Sequence, residues 1–181
     1  MMLPEVPIIE ESVFQGKLVS LSLRKSRLKD GAVVDREIIR TREAVVIVPI
    51  TNNNEVRLVK QFRAAAEKWL IELPAGTLDP GEEPDAAAPR ELLEETGDKA
   101  AAWQHLGGFY AAPGISTEYM HLYLATNLTP GPNHLEYDEH IQVLTLPWND
   151  VIAMVKRGEV EDAKTIAGLT RAGLHLKLSF T

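Results

Sequence analysis

The chain has 181 residues, 45% of them hydrophobic, which suits one globular domain with a substantial core, or one domain plus a short arm. A formal charge of -7 without a dense Lys/Arg cluster excludes a grip on the backbone of a long nucleic acid, while a small anionic substrate stays open if a metal screens it. The absence of cysteine excludes disulfides and thiolate metal sites, so any metal must be held by oxygen or imidazole ligands, and oxygen favours magnesium, manganese or calcium.

In chain order, the opening MMLPEVPIIEES lacks the basic start and apolar stretch of a signal peptide. The longest apolar run, AVVIVPI at 44–50, is too short to span a bilayer. The expectation is a cytoplasmic protein without membrane association. Residues 16–41 read as two extended segments around the KDG turn, because Asp-Gly favours the positive φ of a tight hairpin. EAVVIVPI and EVRLVKQF flank TNNN in the same way and predict a second hairpin whose first strand is buried. KWLIEL, WQHLGGFY, YMHLYLAT and IQVLTL are further strand candidates. Helical spacing occurs at 84–96, at 149–157 ending on Gly158, and at about 161–176. Strands dominate the middle and helices sit between and after them, which predicts a mixed α/β sheet covered by helices, not a regular parallel βαβ array. Trp69, Trp103 and Trp148 adjoin apolar runs or a helix start and read as core residues. His105, His121, His134, His140 and His175 show no ligand spacing.

The segment GTLDPGEEPDAAAPRELLEETGD, 76–98, crowds eight carboxylates around one arginine. Pro84 fits a first helical turn, Asp85 complements the positive end of the dipole, and Glu83 falls at a cap position where Asp or Ser would serve better. At about 100° per residue, Glu91, Glu94 and Glu95 span roughly 100° of arc, with Arg90 one turn before Glu94 and able to pair with it. Leu92 and Leu93 leave that arc for the core, and Gly97 suits the left-handed residue that ends a helix. Three glutamates on one short face repel one another, and no lysine lies within 82–98 to neutralise them. Alone, ELLEE would read as a solvated face.

The full spacing alters that reading. Gly76, five residues, Glu82, seven residues, Arg90-Glu91-Leu92, one residue, Glu94-Glu95, one residue, Gly97 resembles the Nudix box of the Nudix hydrolase superfamily. The resemblance implies an α/β/α sandwich with a mixed sheet. It also implies that Mg²⁺ or Mn²⁺ is bound through Glu91 and Glu95, often with Glu94 and a backbone carbonyl near Ala75, hard oxygen donors of the kind such ions require. Glu82 and Arg90 match an ion pair that orients the loop on the helix, and Gly76 would let that loop pass close to the metal. Two positions depart from the pattern. Pro89 lies inside the helix, removing the bond to the Asp85 carbonyl at a cost of about 3 kcal/mol in a regular helix, and Asp98 stands where an apolar residue is usual.

Outside the box, VKQFR, WLIELPAG, FYAAPGISTE, DEHIQV and RGEVEDAKT resemble bacterial ADP-ribose pyrophosphatases, and Pro113, sixteen residues after Gly97, matches a spacing associated with that subfamily. The implied reaction is hydrolysis of ADP-ribose to AMP and ribose 5-phosphate. Other nucleoside diphosphate sugars, FAD and dinucleoside polyphosphates are the alternatives, and a non-catalytic nucleotide sensor is the alternative of another class. Arg63 matches a substrate-binding arginine, whose fork suits phosphate or stacks on a base, and otherwise reads as a surface ion pair. Glu72 would accept from substrate or pair with an arginine. Glu139 resembles a further metal ligand or the water-activating residue of a loop; some relatives carry a second glutamate two residues earlier, where this chain has Tyr137, and either Glu136, Asp138 or Glu118 takes its place or Glu139 acts alone. Relatives often exchange an N-terminal arm between two subunits, and Arg36 and Glu37 resemble its contact with the nucleotide. The resemblance thus implies an arm over 1–42, a catalytic domain over 43–181 and a homodimer.

Overall fold

The computed structural model describes residues 4–132 and 141–179. Two compact units are present, one formed by Met1–Glu43 with Tyr110–Tyr119, the other by Ala44–Phe109 with Met120–Thr181.

In the first unit, β1 (Glu5–Gln15), β2 (Val19–Leu28) and β3 (Val33–Thr41) form an antiparallel meander in the order β1-β2-β3. The KDG turn closes β2 onto β3 as expected: Gly31 has φ 90° and the Ala32 amide donates to Asp30 Oδ1 at 3.0 Å. β1 itself escaped the sequence reading, because Pro7 and register shifts after Pro7 and after Ser12 interrupt its alternation. Glu10 gathers Arg24 and Arg40 across the sheet, at 2.7 and 2.6 Å. The segment 110–119 runs along the edge of β3, with the Ile39 amide donating to the Ile115 carbonyl at 2.7 Å.

The second unit contains β4 (Ala44–Pro49), β5 (Glu55–Arg63), β6 (Lys68–Glu72), β7 (Ala75–Thr77), α1 (Pro84–Thr96), β8 (Lys99–Tyr110), β9 (Tyr119–Thr129), β10 (Ile141–Pro147), α2 (Trp148–Arg157) and α3 (Ala163–Leu176). One sheet runs β7-β4-β9-β8 and is mixed, since β4 is antiparallel to β7 and parallel to β9. The other runs β10-β5-β6 with antiparallel neighbours.

The expected hairpin of β4 with β5 is corrected here. The two strands meet only at an Ile50–Val56 bridge and then enter different sheets. Every residue of β4 is buried. Val45 and Ile47 pack with Ala87, Ala88 and Leu92 of α1, whereas Val46 and Val48 pack with Trp148, Val151 and Ile152 of α2 and Leu169 and Ala172 of α3. A strand covered on both faces sits centrally, and its two edges are taken by β7 and β9, leaving none for β5. Alternate residues of β9 divide likewise, Leu122 and Leu124 to one cluster, Tyr123 and Ala125 to the other. The result is the expected α/β/α layering. Among the described residues, no helix is long and apolar enough to cross a membrane.

Of the tryptophans, Trp148 is buried, but Trp69 is not a core residue: it is 45% exposed, edge-on to Phe62 with ring centroids 5.9 Å apart. β6 is the edge strand of its sheet, and its first two residues, Lys68 and Trp69, are exposed.

Candidate active site

Helix α1 carries the site, and its ends are set locally. Pro84 occupies the first turn, Glu83 is the cap residue without a side-chain capping bond, and Gly97, at φ 76°, donates to the Leu93 carbonyl at 2.9 Å. The helix continues through Pro89. Near its start, Tyr123 donates to Asp85 Oδ1 at 2.5 Å, and burial together with that carboxylate raises the phenol above its ordinary pKa.

Arg90 is the hub. Its Nε and Nη2 donate to the two oxygens of Glu82, both at 2.8 Å, while Nη1 donates to Glu91 Oε1 at 2.8 Å and Glu94 Oε2 at 2.9 Å. The fork geometry makes the Glu82 link bidentate, the stronger kind of ion pair. Glu82 in turn accepts from the Asp79 amide at 2.9 Å, so the loop before α1 is fastened to the helix through one carboxylate. The Arg90 guanidinium holds the Glu82 carboxyl down at about 2, and Arg90 is itself held further into its charged form.

Glu91 and Glu95 are buried, one turn apart on the face toward β7. Glu95 Oε2 accepts from the Ala75 amide at 3.1 Å. The Glu91 carboxylate lies against Gly76 so closely that a Cβ there would sit 2.0 Å from its Cδ and Oε1. Gly76 is needed because a carboxylate fills the space of its missing side chain. Among the described residues its φ is not one of the positive ones.

The donor set suits a hard divalent cation: carboxylates of Glu91, Glu94 and Glu95 with the backbone at Ala75, on a rigid helix and a short strand. Two of these carboxylates already converge on a single positive atom, Arg90 Nη1. Among the described residues no three His, Asp or Glu side chains stand grouped at metal-binding distance, since the cation that gathers Glu91 and Glu94 is the guanidinium. The residues therefore fit such an ion by the chemistry of their donor atoms.

Arg63 and Glu72 are brought together with each other. Arg63 Nε and Nη2 donate to the two oxygens of Glu72 at 2.8 and 2.7 Å, and Lys164 shares Glu72 Oε2. Burial pushes Glu72 up, yet the two cations outweigh it and leave the carboxyl below the usual range. Both its oxygens are thus engaged within the protein. Lys164 was missed by sequence reasoning, although its position two residues after the Asp162 cap of α3 was a local signal. Asp98 is likewise engaged. It is fully buried and accepts from Arg57 Nε and Nη2 at 2.6 and 3.0 Å, so the position where an apolar residue is usual carries a buried ion pair.

The other expected residues belong to the first unit or lie outside the described residues. Arg36 donates to Glu5 at 3.1 Å in the first unit, where Arg36, Glu37 and Pro113 line a recess of about 320 Å³. Glu118 is half-buried, its amide bonded to Ser116 Oγ at 3.1 Å. Glu139, with Glu136 and Asp138, lies outside the described residues. The His105 ring lies tilted against His121 and Tyr123, with centroids 6.0 and 5.0 Å away.

A family model described as the NUDIX domain matches residues 40–169. An ADP-ribose pyrophosphatase of Bacillus subtilis (strain 168) is 37% identical over 165 residues, covering 90% of this chain and 89% of that protein. A methanol dehydrogenase activator of Bacillus methanolicus is 36% identical over 164 residues, with the same coverage of each. The crystal structure of an ADP compounds hydrolase superposes with a TM-score of 0.88 over 98% of this chain and 96% of the other, and at 24% identity it is a likeness of fold.

Proposed function

The chain belongs to the NUDIX family and is a hydrolase of that family, and from this premise we propose that it hydrolyses the pyrophosphate bond of ADP-ribose, giving AMP and ribose 5-phosphate. The observation that carries the reading is the Arg90 hub, which holds Glu82, Glu91 and Glu94, with the Glu91 carboxylate lying in the space of the missing side chain of Gly76 in β7.

In this reading Glu91, Glu94, Glu95 and the backbone at Ala75 hold Mg²⁺ or Mn²⁺. When bound, such an ion screens the diphosphate and polarises a phosphoryl oxygen. Arg90 holds the Glu91 and Glu94 carboxylates in place, and the Ala75 amide holds the Glu95 carboxylate. Arg63, at the end of β5, offers a guanidinium fork to a phosphate oxygen. Glu139 is proposed as the residue that takes the proton of the attacking water. The arm over 1–42, with Arg36 and Pro113 near the nucleotide in a homodimer, and the cytoplasmic setting belong to the same proposal.

The test is product identification. Purified protein with Mg²⁺ should release AMP from ADP-ribose, and Glu95→Gln should lower turnover by roughly 10²-fold or more while the fold persists. Cleavage of another nucleoside diphosphate sugar with no AMP from ADP-ribose would refute the substrate assignment.

A further inference from the structure

Glu72 is a buried carboxylate with two cations of unequal freedom. It is 1% exposed. Lys164, at 9% exposure, is fixed from both sides: its Nζ binds Glu72 Oε2 and lies 3.1 Å from Asp162 Oδ2. Asp162 in turn caps α3, accepting from the Thr165 amide at 2.9 Å and from its hydroxyl at 2.6 Å. The Leu73 amide donates to that same hydroxyl at 2.7 Å, tying the end of β6 to the helix. Arg63 stands differently. It is the last residue of β5, its side chain is 40% exposed, and it precedes the turn at 64–67. Glu72, which holds the Arg63 guanidinium, lies three residues before Ala75, whose amide donates to Glu95 at 3.1 Å, so one short segment joins Arg63 to the carboxylate row.

Removing the sole partner of a buried charge is strongly unfavourable, so a buried carboxylate with one cation keeps it. Glu72 is not in that position. If Arg63 leaves, Lys164 still neutralises the carboxylate, with Asp162 and the α3 cap holding the ammonium where it is. We propose that Lys164 is a positioning residue for substrate binding: it is the resident counter-ion of Glu72 that frees Arg63 to exchange a carboxylate for the diphosphate of the substrate. The inference rests on the hydrolase reading above. It assigns the discriminating role to a residue that itself touches no substrate. The exchange replaces one bidentate oxyanion partner by another, so it costs little when the fixed ammonium is present and much when it is absent.

The experiment is steady-state kinetics on ADP-ribose with Mg²⁺ for the wild type, Lys164→Met, Lys164→Arg and the double variant Glu72→Gln/Lys164→Met, with thermal unfolding of each. In Lys164→Met the buried carboxylate claims Arg63, and KM should rise about tenfold or more, the loss of one charge-assisted contact, while kcat changes less than about twofold. Lys164→Arg should stay near the wild type. The double variant removes both the claim and the claimant, so KM should return to within about twofold of the wild type. An unchanged KM in Lys164→Met, a loss confined to kcat, or a double variant left with the raised KM overturns the exchange. Should Lys164→Met fail to fold, Lys164→Gln, which keeps a donor to the buried carboxylate but not the charge, is read on the same criterion: a raised KM supports the exchange and an unchanged KM overturns it. A wild type silent toward ADP-ribose would overturn the functional reading and the exchange together, whereas an active wild type with an unaltered Lys164→Met removes the exchange alone.

Discussion

Gly76→Ala separates a site from a scaffold. The added methyl would sit 2.0 Å from Cδ and Oε1 of Glu91 and 2.3 Å from Oε2, where ordinary contact is about 3.5–4 Å, so the carboxyl group must move by roughly 1.5 Å or more. The backbone does not resist the change: among the described glycines with positive φ are Gly31, Gly81, Gly97, Gly107 and Gly158, and Gly76 is not among them. A glycine replaced at a compatible position gains about 0.4–1 kcal/mol through the unfolded chain. Against this stands the Arg90–Glu91 contact, worth about 1.5–3 kcal/mol as a charge-assisted bond, with Arg90 still held by Glu82 and Glu94. The net loss is about 1–2 kcal/mol, a fall in Tm of roughly 2–8 °C for a chain of this size. Activity should fall much further, about 10²-fold, because a displacement of that size moves a reacting geometry out of range. Differential scanning fluorimetry and AMP release read the two effects separately. Turnover within about threefold of the wild type would mean that the Glu91 carboxylate relocates freely and its approach to Gly76 carries no function.

Asp98→Ala strips the partner from Arg57 and should cost about 3–5 kcal/mol, lowering Tm by roughly 6–20 °C, while Arg57→Met/Asp98→Leu recovers most of it. A fall of less than about 2 °C for the single variant would refute a structural role for the pair. Glu82 offers a pH test: its folded-state pKa, about 2, lies below the ordinary 4.5, so its stabilising link to Arg90 is fully present above pH 4.5 and is lost as pH falls through about 2. The stability gap between the wild type and Glu82→Gln, read by urea unfolding, should therefore be constant above pH 4.5 and shrink below it, and a gap that widens on acidification would contradict the assignment.

Helix α1 was legible because its signals are local: a proline at the start, a glycine at the end and a 3.6-residue period between them all lie within 84–97. The order of the strands was not, because pairing depends on which faces are covered, and the burial of both faces of β4 is decided by helices more than thirty residues downstream. The same distance hid the ion pairs. Arg57 and Asp98 are 41 residues apart, and Glu72 and Lys164 are 92 apart. In the sequence each was a charge without an address. Gly76 was legible as a small residue near the site, but only the fold supplies the reason, a carboxylate from one turn of α1 lying in the place of a side chain.

The balance of charge differs between the buried ion pairs and the Arg90 cluster proposed to do the chemistry. Asp98 meets Arg57 singly, and Glu72 with Asp162 meets Arg63 and Lys164, so carboxylates and cations are matched. Around Arg90, three carboxylates accept from one guanidinium. Glu94 and Glu95 also lie in the last turn of α1, which carries no base, where the dipole disfavours each negative charge by about 0.3–1 kcal/mol. A sequence shaped for stability alone would place lysine there, so the acidic row breaks a local rule, as the metal site proposed above would require. One consequence follows for Glu95→Gln. The amide still accepts from the Ala75 amide but removes one charge from the row, so the variant that loses turnover should melt no lower than the wild type without added metal. A large fall in Tm for that variant would mean that the row is stabilising as it stands, and the case for a functional imbalance would be lost.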